Sequence, residues 1–149
     1  MTSNVRDRVA PELVGTWKLI GASSITSVGE RIEAPYGIDP VGFLTYTAEG
    51  RMSSVISYGG RKPLPMGGGK LEEQAEAFKT FLGYAGRYTL SGDKLTHHIE
   101  ASSVQNYAGR DLVRIITFEG DRMTLTTPPT LVNGKVQTLA LVWQRIGRS

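Results

Sequence analysis

The sequence predicts an all-β protein: a closed, antiparallel, up-and-down barrel of about eight to ten short strands, with one amphipathic helix. Three observations predict it. Apolar and polar residues alternate with period two along most of the chain, the pattern of a sheet with one buried face. The strand-like runs follow one another as hairpins, joined by short turns at Ala48-Glu49-Gly50, Ser91-Gly92-Asp93 and Gly120-Asp121. A meander of this many strands removes its open edges by closing on itself, whereas a sandwich needs longer crossing connections.

The elements follow in order. "GTWKLIGASSIT" from Gly15 places Trp17 and Leu19 on one face and Lys18 on the other. "VGFLTYT" and "RMSSVISYGG" flank the Ala48–Gly50 turn as a first hairpin. "YGGRKPLPMGGGK" is too rich in glycine and proline for regular structure and too long for a hairpin loop, so it reads as a lid. Within the next segment, Lys70 to Gly86, the residues Leu71, Ala75, Phe78 and Leu82 recur at helical spacing, with Glu72 and Glu73 in the first turn, predicting a helix over about 71–83. "GRYTL" with "KLTHHIEAS", then "DLVRIITFE" with "RMTLTT", make two further hairpins, and "VQTLALVWQR" supplies the last strand.

The 149 residues fit a single domain, 1–149, with residues 1–12 as an N-terminal extension. Hydrophobic residues at 40% and charged residues at 21% exclude a disordered or fibrous chain. The formal charge is +3, but lysines and arginines are scattered and form no stripe, so no nucleic-acid partner is expected. The absence of cysteine removes disulfides, thiolate nucleophiles and Cys-bearing zinc sites. A polar start, "MTSNVRDRVAPE", and the lack of any long apolar run lead us to expect a cytoplasmic protein with no membrane partner.

Candidate functional residues come from the phase of each strand. The inward positions are Trp17 and Leu19; Leu44 and Tyr46; Met52, Ser54, Ile56 and Tyr58; Tyr88 and Leu90; Leu95, His97, Ile99 and Ala101; Leu112, Arg114, Ile116 and Phe118; Met123 and Leu125; and Leu139, Leu141 and Trp143. Both histidines of the chain stand side by side in "THHIE". His97 shares the phase of Leu95 and Ile99 and points inward, while His98 shares that of Thr96 and Glu100 and points outward. Polar groups on an otherwise apolar interior suit a small, largely apolar guest, so Trp17, Tyr46, Ser54, Tyr58, Tyr88, His97, Arg114, Phe118 and Trp143 are candidate ligand-binding residues. Arg114, between Leu112 and Ile116, needs a partner: either an anionic ligand such as a carboxylate or enolate, or a structural one such as Glu100 or a C-terminal carbonyl. His97 is either a hydrogen-bonded core residue or a proton carrier. Tyr84 and Tyr107 are expected near the openings of the barrel.

Other chemistries find less support. Two adjacent histidines on opposite faces cannot share a metal, so no metal site is expected, nor any cofactor. No Gly-x-Ser-x-Gly elbow occurs, and "GGGK" is followed by Leu71 where a phosphate-binding loop needs Ser or Thr.

The blocks "LVGTWKLI", "DPVGFLTYT", "AFKTFLGYAGRYTL", "DKLTHHIEAS", "NYAGRDLVR", "DRMTLTTPP" and "LVWQR" together resemble the bacterial and fungal lipocalin-like domain family, over about Leu13 to Arg145. The resemblance implies a calycin-type barrel in which Gly15-Thr16-Trp17 matches the Gly-x-Trp signature of the first strand. It further implies that Trp17 plugs the closed end beneath Arg145. Three functions stay open at this point. The barrel binds a small hydrophobic or aromatic molecule, with the helix and the Gly/Pro-rich loop covering one end. Alternatively it is a cofactor-independent isomerase, cyclase or lyase, in which His97 moves a proton while Arg114 and Tyr46 steady an enolate-like charge. In the third, it is a structural protein with a filled barrel. A homodimer is a possible assembly.

Overall fold

The computed structural model describes residues 11–132 and 134–148. Ten strands and a helix follow one another: β1 (Gly15–Thr26), β2 (Arg31–Glu33), β3 (Val41–Tyr46), β4 (Arg51–Ser57), α1 (Leu71–Lys79), β5 (Phe81–Ser91), β6 (Lys94–Ser102), β7 (Asp111–Glu119), β8 (Arg122–Thr126), β9 (Thr130–Val132) and β10 (Lys135–Gly147). β1, β3, β4, β5, β6, β7, β8 and β10 pair in that order, and β10 pairs back onto β1, which closes an eight-stranded antiparallel barrel. β2 and β9 extend the sheet beside β1 and β10. The turns expected from the sequence are present: Gly50, Gly92 and Gly120 all take positive φ, where a residue with a Cβ would be strained. No helix among the described residues is long and apolar enough to cross a membrane.

The interior is built by the period-two phase. Trp17, Leu44, Tyr46, Leu95, Met123 and Trp143 are all wholly buried, and each contributes about 1.5–3 kcal/mol by leaving water. At the closed end the Trp17 indole N–H donates to the Leu13 carbonyl at 3.0 Å, and the Arg145 guanidinium lies 4.3 Å above the Trp17 ring. Arg145 also donates to the carbonyls of Val14, at 2.7 Å, and Glu12. Gly15 is required here, because a Cβ on it would stand 2.2 Å from the Gly147 carbonyl oxygen and its φ is +135°. The Gly-x-Trp signature is therefore a packing device: the glycine lets the two ends of the chain touch, and the tryptophan fills the floor. Of the expected N-terminal extension, residues 1–10 lie outside the described residues, and Glu12 with buried Leu13 belongs to this plug.

Three expectations need correction. The helix stops at Lys79 rather than near residue 83, and "FLGYAG" begins β5. Pairing of Phe81 with Ser57 and of Tyr84 with Ser54 on β4 outweighs the helical spacing of Leu82. Ala101 is exposed rather than inward. Gly86 pairs with Ile99 and Ala85 with Ala101, so Glu100 is an extra residue that turns the strand over at that point. Gly86 permits this crowding, since a Cβ there would meet the His98 carbonyl oxygen at 2.0 Å. Finally, neither the Gly/Pro-rich loop nor α1 covers the barrel: α1 buries no residue and packs against β5 alone among the strands in substantial contact. Because Ser57 and Phe81 are paired, the 58–80 excursion closes on itself, held by Arg61 donating to the Ala77 carbonyl at 3.1 Å.

Candidate functional site

The site grows from the alternation in "THHIE". His97 is 1% exposed and inward, while His98 lies on the outer face, its Nδ1 2.9 Å from Asp111 Oδ1 and its Nε2 3.0 Å from Thr89 Oγ1. Two tyrosines enclose His97. Tyr46 of β3 places its hydroxyl 2.6 Å from Nε2, and Tyr84 of β5 places its own 2.9 Å from Nδ1. Tyr88, whose ring meets Tyr46 edge-on at 4.8 Å, donates instead to the Thr47 carbonyl at 2.8 Å.

Burial, then the Arg114 charge, then His98 push the His97 pKa down to about 3, so its ring is neutral across the physiological range. A neutral imidazole donates one hydrogen bond and accepts one. The triad thus holds three protons for two bonds. Tyr46 is wholly buried with no other acceptor among the described residues, whereas Tyr84 faces a cavity. The arrangement that strands no proton in the core has Tyr46 donating to Nε2 and Nδ1–H donating to Tyr84. Tyr84 then keeps its own proton for the cavity.

That cavity lies inside the barrel and is small, about 40 Å³, enough for a few waters. Its polar lining is Tyr36, Ser54, Tyr84, His97, Arg114 and Thr127; Leu44, Ile56, Leu82, Leu125, Leu139, Leu141 and Trp143 make up the rest. Arg114 donates to the carbonyl of its own neighbour Val113 at 2.9 Å, and among the described residues no carboxylate lies within ion-pair distance of it. Glu100, the structural partner considered from the sequence, is on the outer surface with Arg51, at 2.8 Å, and Arg87. Burial raises the phenols of Tyr36, Tyr46 and Tyr84, so none of them supplies an anion at neutral pH. Trp143 is 1% exposed, and its indole N–H has no acceptor among the described residues.

Of the residues singled out from the sequence, Ser54, His97, Arg114 and Trp143 stand on the cavity. Tyr46 touches it through His97. Tyr88 packs behind Tyr46, Tyr58 packs edge-on against Tyr36 at 5.1 Å, and Trp17 and Phe118 meet each other at 6.4 Å toward the plugged end. Sequence reasoning missed Tyr36 and the inward placement of Tyr84. Tyr84 shares the phase of Gly86 and Tyr88, a period-two signal hidden under the helical reading of the same stretch. Tyr36 lies in an irregular connection and carries no such signal. It covers the cavity where the long loop was expected, fixed by Gly59 N–H donating to the Tyr36 carbonyl at 2.9 Å.

The chain is 32% identical over 86 residues to the 4'-hydroxy-3'-methoxypropiophenone carrier protein ppsC of Aspergillus oryzae, a match that covers 52% of this chain and 78% of that one. Among solved structures it is similar to a lipocalin-like protein from Bacteroides uniformis, with a TM-score of 0.47 and 14% identity over 91% of this chain and 99% of the other. It is also similar to a lipoprotein from Klebsiella pneumoniae, with a TM-score of 0.45 and 12% identity over 95% of this chain and 78% of that one. The family model of the lipocalin-like domain matches residues 14–146, and the chain belongs to that family.

Proposed function

We propose that the barrel carries a small aromatic molecule with hydrogen-bond-accepting oxygens, a hydroxyaryl ketone being the best-supported class. The observation that carries this reading is the Trp143 indole N–H, buried beside the cavity with no acceptor among the described residues. A buried donor that the chain leaves without a partner costs about 1–3 kcal/mol unless a water or a guest in the cavity meets it, and a guest's oxygen meets it directly. Arg114 and the spare Tyr84 proton add two more donors, so the cavity is short of acceptors. A ketone bearing a phenolic oxygen supplies them, and a relative of this chain is a carrier of such a compound.

The same geometry weighs against the isomerase reading. Both ring nitrogens of His97 are engaged by tyrosines, and a base with a pKa near 3 has little affinity for a substrate's proton at neutral pH. What His97 does is orient Tyr84.

A drug-sized guest occupies pockets of about 300–1,000 Å³, so binding expands this cavity. Tyr36 is the residue that gives way. Its loop already holds Ala34 at φ 51° and Asp39 at φ 57°, strained conformations for residues with a Cβ. Titration of the protein with 4'-hydroxy-3'-methoxypropiophenone, followed by calorimetry, is expected to give saturable one-to-one binding. Trp143→Phe is expected to weaken it about tenfold, the worth of one net hydrogen bond. Absence of saturable binding by any aryl ketone overturns the reading.

A further inference from the structure

We propose that Arg114 makes the cavity select its guest in the ionised form, so that the hydroxyaryl ketone is held as its phenolate, with the charged oxygen at the guanidinium and the carbonyl oxygen left for the Trp143 N–H. This rests on the carrier reading above and specifies the chemical state of the guest.

The argument begins with what surrounds Arg114. The titratable groups facing it are Tyr84 from β5, His97 from β6, Tyr46 from β3 and Tyr36 from the β2–β3 connection. β8 and the residue after it contribute only Leu125 and Thr127 to the same lining. Every one of these is neutral at physiological pH, since burial holds the phenols protonated and the imidazole unprotonated. A half-buried cation thus stands in a wall that offers hydroxyls and a single backbone carbonyl, and no carboxylate among the described residues comes within 4 Å. A cation in such a place stabilises any anion that enters, because screening by water is weak there.

A phenol conjugated to a para carbonyl is suited to the role. The ketone spreads the phenolate charge and brings its ionisation toward neutral pH, so a modest field decides its state. Only the proton of the phenol leaves, to bulk water, and no other bond changes. Tyr84, which keeps a proton for the cavity, donates a second hydrogen bond to the same oxygen.

The test uses the intact protein and the absorption of the guest, which changes on ionisation. Bound 4'-hydroxy-3'-methoxypropiophenone, titrated with pH, is expected to ionise at least one pH unit below the free compound, and its 4'-O-methyl ether to bind at least tenfold more weakly at neutral pH. Arg114→Lys should keep the shift and Arg114→Gln should lose it. If the bound phenol ionises at or above the pH of the free one, or the ether binds as tightly as the phenol, the selection of the phenolate is overturned while the carrier reading stands. If neither compound binds, both fall together. Because the wild-type titration and the ether comparison need no variant, the outcome does not depend on whether Arg114→Gln folds.

Discussion

At the plugged end of the barrel Trp17 donates its indole N–H to a backbone carbonyl and lies under an arginine that is itself bonded to two more carbonyls. At the cavity Trp143 has no acceptor among the described residues, and Arg114 faces neutral hydroxyls. The same two residue types serve at both sites, and the difference lies wholly in what meets their donors. One pair is satisfied by the chain and holds the barrel shut. The other is left short, which lowers stability slightly and raises affinity for whatever brings acceptors. On the reading proposed above, satisfied donors mark scaffold and unsatisfied ones mark the binding site, a distinction that burial alone would not reveal, since both tryptophans are almost wholly buried.

The sharpest way to break that comparison is to truncate each tryptophan. Trp17→Ala should cost about 3–5 kcal/mol in urea unfolding, because it removes a large buried ring together with the support of Arg145. Trp143→Phe should change stability by less than about 1 kcal/mol, because the lost contacts are offset by removal of an orphan donor. Equal costs for the two indole nitrogens, measured by Trp→Phe at both sites, would erase the distinction.

Acid should separate the two ends next. His97 carries a pKa of about 3 when folded, against about 6.5 when unfolded. Between these values the unfolded chain binds a proton that the folded one refuses. Its contribution is therefore full above pH 6.5 and is lost as pH falls toward 3, by about 2 kcal/mol between pH 6.5 and 4.5. Thermal unfolding across that window should show the loss in the wild type, and His97→Gln, which keeps hydrogen-bonding groups without titrating there, should flatten it. A wild-type curve as flat as the variant's would mean that the imidazole is charged in the fold, and the cavity end would have to be redrawn around a second cation.

How much of this could be read in the sequence follows from which forces are local. Strand alternation fixed Leu95, His97 and Ile99 inward and His98 outward, because adjacent side chains of a strand have no choice. The same rule failed two residues on, at Ala101, since the bulge at Glu100 depends on Gly86 of the neighbouring strand. Tyr84 was obscured for a related reason: Leu71, Ala75, Phe78 and Leu82 keep helical spacing past the point where pairing with β4 takes over. Arg114 stood out as an arginine in an apolar phase, but that no carboxylate among the described residues pairs with it is a fact about the other strands of the barrel. Tyr36 could not be found at all, because an irregular connection has no period and only the closed barrel brings it over the cavity.

Tyr36 therefore bears on the smaller question of how the two ends differ in mobility. Its ring is held by the edge-on contact with Tyr58 and its backbone by one hydrogen bond from Gly59, whereas the plug at the other end is pinned by Arg145 on three sides. Local opening is expected where fewer contacts must break. If the Tyr36 ring gates the cavity as proposed, Tyr36→Ala should raise the association rate of the ketone several-fold in stopped-flow fluorescence, with a smaller change in equilibrium affinity. Guest access through the plugged end would instead leave the rate untouched by Tyr36→Ala and make it sensitive to Arg145→Met.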